Sequence, residues 1–69
     1  MNRTPVNSRS LASVGYDVDS MTLEVEFLDG QVYQYFDVPE FEHQSLMQAD
    51  SHGTYFHANI RNTYRYTRT

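Results

Sequence analysis

Leu23, Val25 and Phe27 alternate with Thr22, Glu24 and Glu26, and the run breaks at Asp29-Gly30 before "QVYQYFDVP" resumes a strand-like pattern. Strict period-two alternation over this length describes a strand with one apolar and one wet face. Asp-Gly readily takes the positive backbone angles of a tight turn, so a β-hairpin is the strongest local signal in the chain.

The register of this hairpin decides where Tyr33 and Tyr35 point. A two-residue loop of Asp29 and Gly30 pairs Phe27 with Val32 and sets the tyrosines opposite Glu26 and Glu24, on the wet face. A three-residue loop, Leu28 to Gly30 with Gly30 left-handed, pairs Val25 with Tyr33 and Leu23 with Tyr35. One residue of slip exchanges solvent for core. Apolar area favours the second register, because an aromatic ring buries about 150 to 250 Å² and a small domain needs every ring. That register leaves Val32 and Phe36 on the face of Glu24 and Glu26, which then needs cover from the termini or a partner.

Around the hairpin, "SLASVGYD" places Ala12, Val14 and Tyr16 on one parity and Leu11 on the other, a short strand joined to the next by the turn residues "DVDS". Pro39 ends the third strand and opens a helix in "PEFEHQSLMQA", with Glu40 and Glu42 at the positive end of its dipole. Phe41, Ser45, Leu46 and Ala49 form its expected inward stripe, while Glu42, His43 and Met47 lie elsewhere. Ser51 is placed to cap a second short helix in which Phe56, Ile60 and Tyr64 recur every four residues. The expected architecture is α+β: a three-stranded antiparallel meander followed by one or two short helices packed on one face.

With 69 residues the chain has room for one domain at most. We expect a flexible tail over residues 1–8, the domain over 9–66 and a short tail over 67–69. There is no cysteine to call for an oxidising compartment, and the polar "MNRTPVNSRS" has no apolar signal-peptide core. No apolar run reaches membrane-spanning length, so the expectation is a soluble cytoplasmic protein without membrane contact.

The net charge of −4 conceals a segregation: all nine acidic residues lie between positions 17 and 50, and all five basic residues are arginines outside that block. Arg61, Arg65 and Arg68 interleave with Tyr64 and Tyr66, the cation-plus-ring combination that grips phosphates and stacked bases of single-stranded RNA. A pI near 5 is the wrong sign for indiscriminate nucleic-acid binding. Other chemistry finds little support. His43, His52 and His57 include no pair at the four-residue helical spacing of metal ligands, and no serine–histidine or paired-carboxylate arrangement points to catalysis. We therefore expect no enzyme, no cofactor and no metal.

Read in order, "SVGYD", "LEVEF", Gly30 with "VYQYFDVP", "ADSHGTYF" and "IRNTY" resemble the KTSC domain, which occurs at the C-terminus of some lysyl-tRNA synthetases and as a small stand-alone protein in bacteria and phages. The resemblance implies a compact domain of this size and, from the synthetase context, a role in RNA binding. Its hallmark Tyr-x-Tyr falls on Tyr33 and Tyr35, and its later aromatic–arginine element on Tyr55, Phe56, Ile60, Arg61 and Tyr64. The functional expectation is a non-catalytic module that binds RNA or another anionic partner through Arg61, Tyr64, Arg65, Tyr66 and Arg68. The alternative is a protein-interaction module or homodimer, using a sheet edge or the Val32 and Phe36 face. Tyr33, Tyr35, Tyr55, Phe56 and Ile60 are expected to be structural.

Overall fold

The hairpin adopts the three-residue loop. In the computed structural model, which describes residues 1–69, Val25 pairs with Tyr33 and Leu23 with Tyr35. Gly30 sits at φ +90°, its amide donating to the Phe27 carbonyl at 2.9 Å, and the Asp29 carboxylate accepts from the Gln31 amide at 3.0 Å. The left-handed angle at Gly30 is open to a residue without Cβ and strained for others, which is how this dipeptide selects the register.

The hairpin strands, β3 (Thr22–Phe27) and β4 (Val32–Tyr35), lie inside a larger sheet. Its order is β1-β2-β3-β4-β5, all antiparallel, with β1 Arg3–Pro5, β2 Leu11–Asp17 and β5 Tyr66–Arg68. The expected three-stranded meander is thus the centre of five strands. The segment expected as a loose N-terminal tail contributes β1, where Arg3 pairs with Gly15, and the expected C-terminal tail extends β5 past Tyr66, where Thr67 pairs with Gln34 and Arg68 with Tyr33. Neither outer strand shows apolar alternation; each is recruited by backbone groups that β2 and β4 would otherwise leave unpaired. Gly15 makes room for β1, since a Cβ there would stand 2.7 Å from the Asn2 carbonyl oxygen.

A bulge between Leu11 and Ser13 resolves the mixed parity of β2. The extra residue puts Leu11 on the same face as Val14, and both are essentially fully buried. Period-two reading could not foresee this, because a bulge shifts the count without a compositional mark.

Two helices cover one face, α1 (Glu40–Gln48) and α2 (His52–Asn59). Ser51 caps α2, its hydroxyl accepting from the Thr54 amide at 3.2 Å. The core joins Leu11, Val14, Leu23, Val25 and Tyr35 of the sheet to Val38, Leu46, Phe56 and Ile60. On α1 the inward stripe is rotated from the expected one: Phe41 is 64% exposed, while Glu42 is buried beside Leu46. The rotation is set by hydrogen bonding. Tyr55 and Tyr64 both donate to the Glu42 carboxylate, the latter at 2.7 Å, which makes an inward acid affordable where apolarity alone would choose Phe41.

Candidate binding cleft

The inner rows of β3, β4 and β5 end at a cleft of about 380 Å³ beside the C-terminal half of α2. Period-two geometry brings Phe27, Tyr33, Tyr35 and Tyr66 to this face, and α2 adds Phe56. The five rings form a closed circuit. Phe27 meets Tyr33 edge-on with centroids 5.5 Å apart, Tyr33 meets Tyr66 at 5.7 Å, and Tyr66 meets Tyr35 at 5.5 Å. Tyr35 then meets Phe56 at 5.3 Å, and Phe56 returns to Phe27 at 5.5 Å, both near-perpendicular. Contacts of this kind hold rings in fixed orientations. Asp29, Gln31, His57, Arg61 and Asn62 form the polar rim.

Tyr35 is the unusual member. Four of the six tyrosine hydroxyls donate within the protein: Tyr16 to the Val38 carbonyl, Tyr33 to Gln31 at 3.2 Å, and Tyr55 and Tyr64 to Glu42. The Tyr35 hydroxyl has no such partner, although the residue is 3% exposed. Since no buried polar side-chain atom is sealed off unpaired, that hydroxyl opens onto the cleft. Burial pushes its pKa up to about 12, with the neighbouring Tyr66 and Tyr33 adding to the rise and Arg61 opposing it.

Arg61 is held at the rim by the end of α2, where its amide and that of Ile60 both donate to the Phe56 carbonyl at 3.0 Å. Its guanidinium makes no ion pair; the arginines that do are Arg3 and Arg65. Arg68 is likewise exposed and unpaired, directly across from Tyr33 and so on the same face.

The fold divides the arginine–tyrosine segment that the sequence presents as one unit. Arg61, Tyr66 and Arg68 converge on the cleft side. Arg65 is turned to the opposite face, 3.0 Å from Asp37 and over the Phe36 ring at 5.7 Å. Tyr64 is tied down by Glu42, and burial, with the bond and charge of that carboxylate, pushes its phenol up to about 12. Alternation along β5 causes the split, because Tyr66 and Arg68 share a parity that Arg65 does not. The same geometry supplies terminal cover for the face of Glu24 and Glu26: Arg65 lies over Phe36, and Arg3 reaches Glu24 at 2.7 Å.

The histidines have separate local roles. His43 stacks on Tyr16 with centroids 4.9 Å apart, and its burial holds its pKa below the usual value; His52 Nδ1 lies 2.8 Å from the Leu46 carbonyl; His57 packs edge-on against Phe56. Sequence reasoning assigned Tyr33, Tyr35 and Phe56 to the interior and missed that the interior opens beside them. The available signal was Arg61 immediately after the core residue Ile60, which obliges a cation to stand at the rim of the packed face.

Comparison with known proteins places this architecture. Residues 7–64 match the KTSC domain family. The chain belongs to that family. A KTSC domain protein from Yersinia pestis has a crystal structure that superimposes with a TM-score of 0.94 at 39% identity, covering 99% of this chain and 96% of that one. An uncharacterized protein of Stutzerimonas stutzeri is 44% identical over 69 residues, spanning 97% of its length. A lysine–tRNA ligase of Trichormus variabilis is 41% identical over 51 residues, and those make up 9% of that protein. The KTSC match ends at Tyr64, so β5 with Tyr66 and Arg68 extends beyond it. No helix is long and apolar enough to cross a membrane.

Proposed function

We propose that this KTSC domain is a non-catalytic module that binds single-stranded RNA through Arg61, Tyr66 and Arg68. The observation that carries the reading is an aromatic cleft lined by Arg61 and by Tyr66, which is 57% exposed, with Arg68 on the same sheet face across from Tyr33 and neither arginine in an ion pair. Guanidinium groups hold phosphates, and exposed rings stack unpaired bases. Similarity to a segment of proteins named lysine–tRNA ligase supports the same chemistry. Compared with the sequence expectation, Arg65 leaves the contact set because it is turned to the opposite face, beside Asp37 and Phe36, and Tyr64 because its hydroxyl is held by Glu42.

A chain of net charge −4 lacks a broad cationic field, so binding rests on a few local contacts. Its affinity should weaken as salt rises, with a logarithmic slope of roughly −0.7 per phosphate held. Titrating isotope-labelled protein with single-stranded RNA at low and moderate salt should move amide signals between residues 60 and 68. Silence in that segment even at low salt rejects the reading. The protein-interaction alternative has a narrower basis: β5 occupies the β4 edge, leaving β1 and β5 as the outer strands, each of three exposed residues.

A further inference from the structure

We infer that the cleft beside Tyr35 receives one unstacked nucleobase, with the Tyr35 hydroxyl on the polar edge of the base and Arg61 on its adjoining phosphate. This rests on the RNA reading and names the part of the RNA that the cleft takes.

Three features select this ligand. At about 380 Å³ the cleft stands near the lower end of the roughly 300–1,000 Å³ typical of small-molecule sites, so it suits one ring system. Its walls are aromatic rings fixed against one another, a surface suited to a flat π-system. Among its lining residues Tyr35, 3% exposed, has a hydroxyl without a protein partner, and a purely hydrocarbon ring would leave it so. A nucleobase brings flatness and hydrogen-bonding edges together, whereas a phenylalanine side chain brings flatness alone. Asn62 and Gln31 at the rim can meet the remaining polar edge. The Gln31 carbonyl oxygen already accepts from Tyr33, which leaves its amide group as donor.

Charge disfavours the main competitor for an aromatic cage. Such cages also hold quaternary ammonium ions by cation–π attraction. Of the two charges at the rim, the Asp29 carboxylate already accepts from the Gln31 amide within its own turn, whereas the Arg61 guanidinium is unpaired and favours an anion, and a nucleotide carries its phosphate at a fixed distance from its base.

The test uses the intact protein with the four nucleoside 5′-monophosphates, the corresponding nucleosides, ribose 5-phosphate, a single-stranded RNA oligonucleotide, and a short peptide ending in a phenylalanine carboxylate, read by amide shifts. A monophosphate is expected to move signals of Phe27, Tyr33, Tyr35, Phe56 and Arg61, and ribose 5-phosphate to leave the aromatic set unmoved. Tyr35→Phe keeps the ring and removes a hydroxyl that has no internal partner, so it should fold with an unchanged or higher melting temperature. It should bind the monophosphate about tenfold more weakly, the scale of one lost hydrogen bond. Arg61→Gln should weaken the monophosphate and leave the uncharged nucleoside unaffected.

RNA that binds with full affinity to Tyr35→Phe, with shifts confined to residues 64–68, overturns the cleft assignment while the RNA reading stands. Monophosphates that seat in the cleft when no oligonucleotide binds support the cleft and overturn the RNA reading. Peptide shifts in the cleft without nucleotide shifts overturn the cleft assignment, and overturn the RNA reading too where no oligonucleotide moves residues 60–68.

Discussion

The two faces of the sheet carry opposite kinds of polarity. On the face away from the helices every charge near the centre has a partner. Arg3 donates to Glu24 at 2.7 Å and to Ser13 at 3.0 Å, Ser13 donates to Glu26 at 2.9 Å, and Gln34 donates to Glu24 at 2.9 Å. The hydrogen bond from Gln34, with the bond and charge of Arg3, holds the Glu24 carboxyl below its usual range against the opposing effect of burial. On the helix-bearing face the Tyr35 hydroxyl and the Arg61 and Arg68 guanidinium groups are not engaged by the protein. The more highly charged surface is therefore the less available one. A counterion already bonded within the fold must be displaced before a ligand can use its site, whereas a group left free offers its whole interaction to the newcomer.

The largest expected effect belongs to the helix-bearing face. Truncating Phe56 or Tyr35 to Ala should cost about 3–5 kcal/mol by loss of packing and the cavity that remains, enough to unfold much of so small a domain. Tyr33→Ala should cost less than half of that, because Tyr33 is only partly buried. Denaturant titration would show it, and equal losses at Tyr33 and Tyr35 would break the assignment of one ring to the core and the other to its rim.

Alkali should act on the same face next. Tyr35 and Tyr64 ionise near 12 in the fold against an ordinary value of 10.0, so the unfolded chain loses these protons first. Their contribution is complete below about pH 10 and is lost as pH rises toward 12. Phenolate absorbance should resolve a late-titrating group of tyrosines, and a single step at 10 for all six would contradict their environments.

The far face should respond to acid and to Arg3. Arg3→Ala leaves Glu24 with Gln34 alone and should cost about 1–2 kcal/mol, moderated by the partial exposure of the pair. The Glu24 carboxyl is lowered from 4.5, so its share of stability is present above that pH and lost as pH falls through the folded value. Stability measured from pH 6 to 3 should decline less steeply in Arg3→Ala than in the parent. Parallel curves would detach Arg3 from Glu24.

Smallest is the Arg65–Asp37 pair, whose side chains are 77% and 76% exposed. Arg65→Gln should change stability by less than about 0.5 kcal/mol. It should also leave RNA affinity near that of the parent where Arg61→Gln lowers it. Equal losses from both would erase the distinction between engaged and free arginines.

Local chemistry was legible where a residue's neighbours in sequence are also its partners in space. The alternation of β3, the Gly30 turn and the Ser51 cap all follow from contacts a few residues apart, whereas apolar area only favoured the core register of Tyr33 and Tyr35 over its one-residue slip. Membership of the KTSC family was legible on the same terms, as motifs in order. Edge strands were not, since β1 and β5 are strands only because β2 and β4 present open edges to them. Nor was the exchange of Phe41 for Glu42, because the hydroxyls that make an inward carboxylate tolerable arrive from 13 and 22 residues away.

The sequence by itself determined an α+β domain and the hairpin at its centre, because backbone angles and a two-residue period act locally; the register that turns Tyr33 and Tyr35 inward, favoured by apolar area, was decided by the fold. Only the tertiary structure decided which arginines stay free, which tyrosines are spent on Glu42, and that the inner face opens at Tyr35. Those outcomes depend on long-range pairing: β5 must close beside β4 before Arg65 can meet Asp37, Tyr66 can complete the ring circuit and Arg61 can stand alone at its mouth.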